Sequence, residues 1–198
     1  MQAVLENYQT KNKRLHVFDL TATKKYFRAQ KNNILKSNFL NKRPFVAALE
    51  KELFSLKFPA TLPKGMIHED LGRRHVLWQK DRIDAIIDFD RSYFGYLLFD
   101  LGQAGRAWGF KNNWHSFDRV GLARLLRGYQ TERKLTKLEK ELLPDAIKFA
   151  ILERALSFCT RYLNFSKDPK DQAFAWNSVF KQLPLIDKNR GFIIETLK

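Results

Sequence analysis

Two aspartates, Asp70 and Asp88, stand eighteen positions apart on either side of a segment that reads as a tight β-hairpin. A loop before the hairpin and the end of its second strand can share one cleft, because an antiparallel ribbon brings the chain back to where it left. Two carboxylates so placed suit a division of labour. One takes a proton from a hydroxyl nucleophile; the other holds a divalent cation that binds phosphate oxygens. The stretch carrying them runs Pro63-Lys64-Gly65-Met66-Ile67-His68-Glu69-Asp70-Leu71-Gly72-Arg73-Arg74-His75-Val76-Leu77-Trp78, then Ile86-Ile87-Asp88-Phe89-Asp90, then Leu98-Phe99-Asp100-Leu101-Gly102.

The elements that position these residues follow from periodicity. His75-Val76-Leu77-Trp78 and Ile83 to Ile87 are rich in branched and aromatic residues, with Lys80-Asp81-Arg82 as the turn between them. Before them, Thr21 or Thr23 can cap a helix through Tyr26, Ile34 and Leu35. Pro44 fits the first turn of a second helix with Phe45, Leu49, Leu53 and Leu56 on one face, ended by Pro59 and Pro63. After the hairpin the pattern is helical. Leu97–Trp108 is one apolar helix. Ser116 is the expected cap of the next, with Phe117, Val120, Leu125 and Tyr129 inward. Thr136 and Glu139 make a capping box. Pro144 is expected to open a helix carrying Ile147, Ile151, Ala155, Phe158 and Tyr162. Asp168-Pro169 opens one carrying Ala173, Trp176 and Phe180, and Asp187 caps a last short helix. The expected fold class is α+β and predominantly α. One unit spans 1–198: a basic helical segment over 1–60, the loop and hairpin over 61–95, and a helical subdomain over 96–198.

Composition narrows the class further. The 198 residues carry 36 Lys+Arg against 21 Asp+Glu, a formal net charge of +15, and are 44% hydrophobic with 17 Phe, which excludes a disordered chain. Residues 1–64 hold 13 Lys/Arg and four acids, a basic segment that attracts phosphates in a nucleotide, a nucleic acid or a lipid surface. A solvated basic face is the plainer reading, because the cations are scattered. No stretch approaches the length of a transmembrane helix, and the N-terminus lacks the apolar core of a signal peptide, so no membrane partner is expected. The single Cys159 can form no internal disulfide and excludes cysteine-based zinc modules; a reducing cytoplasm is the expected location. Cys159 itself reads as an inert buried thiol, and Trp108, Trp114 and Trp176 as core.

The loop and strand-end pattern resembles the aminoglycoside phosphotransferase and choline-kinase-like group, of protein-kinase-like fold, and most closely its type II homoserine kinases. Their catalytic loop reads H-x-D, followed five residues on by Asn, then an apolar strand, a turn and an I-D-F strand end. His68, Asp70, Ile87-Asp88-Phe89 and Phe99-Asp100-Leu101 stand at matching spacing. The resemblance covers roughly residues 60–185. It implies an ATP-dependent phosphotransferase acting on a small-molecule alcohol such as homoserine or an aminoglycoside-like substrate, with Mg2+ and ATP as cofactors. Asp70 would orient and deprotonate the acceptor hydroxyl, and Asp88 would bind the magnesium. His68 would buttress the loop, and Asp100 would hold the loop region from the following helix.

The chain departs from the family at two places. His75 stands where the family has Asn as second metal ligand, and imidazole suits softer metals than magnesium. His75 would therefore bind magnesium poorly, take another metal, or simply pack in the strand. The first glycine is Gly65, whereas a loop wrapping phosphates closely needs residues without side chains. The expectation is a C-terminal lobe whose N-terminal β-lobe is missing: a truncated frame, a split enzyme with the other lobe as a separate partner, or a lobe that has lost catalysis. Arg73 and Arg74 read equally as contacts to phosphate or an anionic substrate and as a solvated pair. A catalytically inactive interaction module with a basic partner-binding face is the competing reading. Nucleic acid is not expected as a partner, since no recognised motif accompanies the charge.

Overall fold

Asp19 opens the first helix among the described residues. In the computed structural model, which describes residues 18–111 and 114–197, its carboxylate accepts the N–H of Ala22 at 2.6 Å and starts α1 (Leu20–Lys36). The expected caps Thr21 and Thr23 fall inside the first turn instead. An aspartate at that end gains twice, from the hydrogen bond and from the partial positive charge of the helix terminus. Helix α2 (Lys42–Ser55) has Pro44 in its first turn and buries Phe45, Leu49 and Leu53 completely. Lys11, Lys13 and Arg14 of the basic segment lie outside the described residues. Among the described residues before the first strand, only helices occur.

Among the described residues four short strands follow, in two separate antiparallel pairs. β1 (Lys64–Ile67) pairs with β4 (Tyr93–Tyr96) in the register Lys64↔Tyr96 to Ile67↔Tyr93. Between them, β2 (Val76–Gln79) and β3 (Arg82–Ile86) form the expected hairpin, with a bulge between Leu77 and Trp78 and a left-handed Lys80 in the turn. β4 was not expected: Tyr93-Phe94-Gly95-Tyr96 runs without a break into an apolar helix, so no turn signal separates strand from helix. His75 does not join the strand as expected. It ends a single 3-10 turn, Arg73–His75, just before β2.

The helical part is organised on two long elements, α3 (Leu97–Trp108) and α5 (Lys137–Arg161). They lie close because Gly102 carries no side chain: a Cβ there would sit 2.6 Å from the carbonyl oxygen of Ala146. Around this contact Phe99 packs on Phe58 and Phe149, with centroids 4.9 and 4.8 Å away. The capping box forms as expected, with Thr136 Oγ1 accepting the Glu139 N–H at 3.2 Å and a Glu139 carboxylate oxygen accepting the Thr136 N–H at 2.9 Å. Pro144 opens no new helix; it lies within continuous α5, where buried Leu143, Ala146 and Ile147 keep the helix against the core despite the missing N–H.

Other boundaries shift by a residue or two. Asp118, not Ser116, caps α4 (Arg119–Glu132), and Val120 is exposed while Leu122 and Leu126 are buried. Asp168 caps α6 (Pro169–Asn177) as expected, but Ala173 is exposed and Ala175 takes its place in the core. Asp187 caps nothing: it lies inside α7 (Leu183–Lys188), 3.0 Å from the Lys148 ammonium, and Asn189 precedes α8 (Arg190–Glu195). Cys159 is fully buried, and burial pushes its thiol up to about 12. No helix among the described residues is long and apolar enough to cross a membrane.

Candidate active site

The β1–β4 pairing brings the loop after β1 against the start of α3, and this places Asp100. Its two carboxylate oxygens accept the backbone N–H groups of His68 at 3.2 Å and Glu69 at 2.9 Å. The bonds hold Glu69 in a left-handed conformation (φ 63°) that a residue with a side chain rarely adopts, and so fix the direction in which Asp70 leaves the loop. His68 ties the same loop to the hairpin. Its Nδ1 accepts the N–H of Asp70 at 3.2 Å, which leaves Nε2–H to donate to the carbonyl of Ile87 at 2.9 Å. The next residue after Ile87 is Asp88, also left-handed at φ 70°.

His75 completes the join. Its ring contacts the Asp70 carbonyl oxygen through Nδ1 at 2.5 Å and lies 3.2 Å from Asp88 Oδ2 through Nε2. Asp70 is thus anchored to both histidines through its backbone, and Asp88 is brought beside it by His75, whose ring contacts both residues. Asp70 is buried and Asp88 is about half-exposed. Arg74 Nε donates to His75 Nε2 at 2.7 Å, while its Nη2 stands 3.4 Å from Asp70 Oδ2.

Magnesium takes oxygen ligands, keeps several of its waters, and is commonly held by one or two carboxylates together with substrate phosphates. Asp88, a half-exposed carboxylate at a loop edge, fits that role. The His75 Nε2 nitrogen does not fit a hard ion and already accepts from Arg74, so its place is beside the ligand. No group of three or more His, Cys, Asp or Glu able to hold a metal occurs among the described residues.

Several charged neighbours of the site gave no local signal in the sequence. Arg154, buried on α5, forms a close ion pair with Asp70 Oδ1. Burial alone would raise the Asp70 carboxyl; the Arg154 charge and hydrogen bond, with Arg91 and Arg74, outweigh it and hold the group below the usual aspartate value. Behind the loop, Glu69 is fully buried, and desolvation reinforced by Glu153 raises its carboxyl well above the usual range against the pull of Arg91. Arg91 pairs with Glu153 at 2.9 Å, and Gln103 donates to Glu69 Oε1 at 3.3 Å. The one available sign was Glu153-Arg154 in the middle of the apolar face of α5, since buried charges are rarely found unpaired.

A model of the "Phosphotransferase enzyme family" matches residues 10–136, more than half of the chain. The chain belongs to this phosphotransferase family. Within it, the chain is 36% identical over 121 residues to a homoserine kinase of Granulibacter bethesdensis, an alignment covering 58% of this chain and 38% of that protein. A homoserine kinase of Rhodopseudomonas palustris is 33% identical over 133 residues, covering 65% of this chain and 40% of its own length. The matched region thus spans about two fifths of these curated relatives. Among solved structures, a choline/ethanolamine kinase family protein from Mesorhizobium loti superposes with a TM-score of 0.64 at 16% identity, over 98% of this chain and 63% of its own. A microcompartment-associated aminopropanol kinase gives a TM-score of 0.61 at 15% identity, over 100% of this chain and 61% of its own. These two likenesses establish the kinase-like fold of the phosphotransferase chain.

Proposed function

We propose that this chain is the catalytic, acceptor-binding lobe of a small-molecule kinase that moves the terminal phosphoryl group of ATP to the hydroxyl of a small alcohol such as homoserine. The observation that carries the reading is the convergence of Asp70 and Asp88 through His75, with Asp70 at the wall of an open cavity. In the reaction the acceptor oxygen bonds to the terminal phosphorus as the bond to the diphosphate breaks, and the hydroxyl proton passes to a carboxylate oxygen of Asp70. Asp100 and His68 keep that carboxylate aimed, and Asp88 would hold the magnesium. A magnesium ion held by Asp88 would supply charge neutralisation for the phosphates. A nucleotide-binding lobe supplied from another segment would close over Asp88, and the cytoplasm would supply the reduced conditions and the ATP.

The test is phosphoryl transfer from ATP to homoserine, measured for the chain alone and with a neighbouring β-rich lobe added. Transfer that falls by roughly a hundredfold or more in Asp70→Asn and is lost in Asp88→Ala supports the reading. Absence of both nucleotide binding and transfer in every combination overturns it and favours the inactive interaction module. One observation favours that second reading: Asp70 is already engaged by Arg154. It predicts that charge reversal at Lys24, Lys25 and Arg28 disturbs partner binding, whereas Asp70→Asn is silent.

A further inference from the structure

The cavity beside Asp70, about 210 Å³, has the loop with Arg73 and Arg74 as one wall and α3 and α5 with Arg106 and Arg154 as the other. The four guanidinium groups are not alike. Arg154 is committed to acids: it pairs closely with Asp70 Oδ1, and its Nε lies 3.7 Å from Glu153 Oε2. Arg106 is buried and donates through Nε to Gln103 Oε1 at 3.1 Å. Arg73 donates through Nη2 to the Phe110 carbonyl at 3.1 Å. Arg74 differs from all three. Its side chain is 66% exposed, yet one edge of its guanidinium is fixed.

The single 3-10 turn Arg73–His75 sets Arg74 beside His75, which is buried. His75 Nδ1–H donates to the Asp70 carbonyl, so Nε2 offers its lone pair to Arg74 Nε–H at 2.7 Å. Arg74 Nη2 stands 3.4 Å from Asp70 Oδ2. Nε and Nη2 form the side-on edge of a guanidinium, so the outer edge, Nη1 with the second N–H of Nη2, faces away from these partners. No hydrogen bond engages Nη1 among the described residues. The same His75 Nε2 lies 3.2 Å from Asp88 Oδ2. Arg74 therefore reaches both carboxylates of the proposed reaction, Asp70 directly and Asp88 through one imidazole nitrogen. A phosphoryl group passing from a nucleotide gathered at Asp88 to a hydroxyl held at Asp70 travels between them, beside Arg74.

We propose that the outer edge of Arg74 contacts the oxygens of the phosphoryl group in transfer, and that His75 is the positioning residue that holds the guanidinium there. The proposal rests on the phosphotransferase reading of the same site and adds two residues that the reading gives no part in the transfer. Two parallel N–H groups match two phosphate oxygens. Charge is spread over those oxygens while the acceptor oxygen bonds to phosphorus and the bond to the diphosphate breaks, and a fixed positive charge beside them stabilises that arrangement. An exposed arginine loses rotamer freedom on binding an anion, whereas one already bonded at Nε and Nη2 loses little. His75, unsuited to a hard ion, thereby has a use that needs its nitrogen lone pair.

Tripolyphosphate in metal-free buffer, titrated into the full chain and followed by phosphorus NMR, tests the contact without turnover. Arg74→Gln should weaken its binding about tenfold. Arg82→Gln, which removes the same charge at the far end of the hairpin, should weaken it less than about twofold. Equal losses overturn the proposal, since the net charge of +15 would then be the attraction. Absence of binding by the unaltered chain overturns it as well. His75→Leu should weaken binding about as much as Arg74→Gln, and the double variant should be little worse than either, because one residue acts through the other. Additive losses, or full binding in His75→Leu, refute the positioning role. Should His75→Leu fail to fold, exchange of the Arg74 Nε–H with water in the unaltered chain decides. Bonded to His75, it should exchange roughly tenfold more slowly than that of Arg82, and equal rates refute the clamp. Transfer to homoserine that survives Arg74→Gln undiminished sinks this proposal and leaves the kinase reading standing. Tripolyphosphate binding that depends on Arg74, in a chain that transfers no phosphate in any combination of lobes, sinks the kinase reading and keeps the phosphate contact.

Discussion

The two sides of the cleft are built in opposite ways. On the catalytic side, His68, Asp70, His75 and Asp88 lie within twenty-one consecutive positions. They are tied to one another by short bonds to backbone atoms: Asp100 to two N–H groups, His68 to the Asp70 N–H and the Ile87 carbonyl, His75 to the Asp70 carbonyl. On the facing side, Arg106 and Arg154 are forty-eight positions apart and meet only because α3 packs on α5. Local bonds can hold a reacting carboxylate to the tolerance that proton transfer requires. Helix packing brings together side chains that no local spacing relates, and Arg154 then reaches back to Asp70. In the proposed reaction the chemistry would sit on the wall built from local bonds, facing across the cavity a wall built by helix packing.

Asp100→Ala should do the most damage to the local side. It leaves the N–H groups of His68 and Glu69 buried without their acceptor and removes what holds Glu69 at φ 63°. A cost of about 3 kcal/mol is expected, or roughly 6–12 °C in Tm for a chain of this size. Thermal unfolding followed by circular dichroism measures it. A change under about 1 kcal/mol would mean that the loop is held by its histidines alone.

Gly102→Val should act on the other side. Its Cβ would lie 2.6 Å from the Ala146 carbonyl oxygen, a backbone atom that cannot turn aside. Separating α3 from α5 should cost about 1–3 kcal/mol. It should also widen the cavity between Arg106 and Arg154 while the loop keeps its geometry. Denaturant titration and a crystal structure of the same variant check both parts. Weakened stability with an unaltered cavity would break the link between helix packing and the arginine wall.

The same contrast decides what the sequence could reveal. Asp70 and Asp88 are legible because a hairpin with branched strands and a polar turn leaves little choice about where its two ends meet. The Thr136–Glu139 box and the Asp168-Pro169 start are legible for the same reason: a cap is satisfied within a few residues. Arg106 and Arg154 are not, because no local spacing relates them and their long side chains reach across a helix pair that only tertiary packing creates. Pro144 misleads because a buried helix outweighs a local breaking signal when its neighbours are in the core. β4 is hidden because it runs straight into α3 without a polar residue between.

Glu69 connects the two sides and gives a pH test. Its carboxyl is raised well above the ordinary 4.5, mainly by burial and then by Glu153, although Arg91 opposes the shift. The folded chain therefore holds a proton there that the unfolded chain has released once the pH exceeds that ordinary value. Stability from this group is full below it and declines as pH rises toward the raised value. Glu69→Gln, which carries no titrating proton, should flatten this part of the profile and gain on the parent chain as pH rises through neutrality. Unfolding free energy measured from pH 4.5 to 8 tests the sign; parallel profiles would mean that Glu69 stays ionised, held by Arg91.

The smallest effect is expected on the outer face of the hairpin. Trp78 is 58% exposed and Ile83, its cross-strand partner, 56%. Neither touches the bonds that join His75 to Asp70 and Asp88, which lie at the other end of the ribbon. Trp78→Ser should lose a cross-strand contact between two half-wet side chains, within about 0.5–1 kcal/mol, and leave the cavity beside Asp70 unaltered. A larger loss, or a change at the acceptor cavity, would show that the ribbon is tuned along its whole length. The catalytic side would then depend on more than the short bonds at its base, and the division between its two walls would be less complete than their hydrogen bonds indicate.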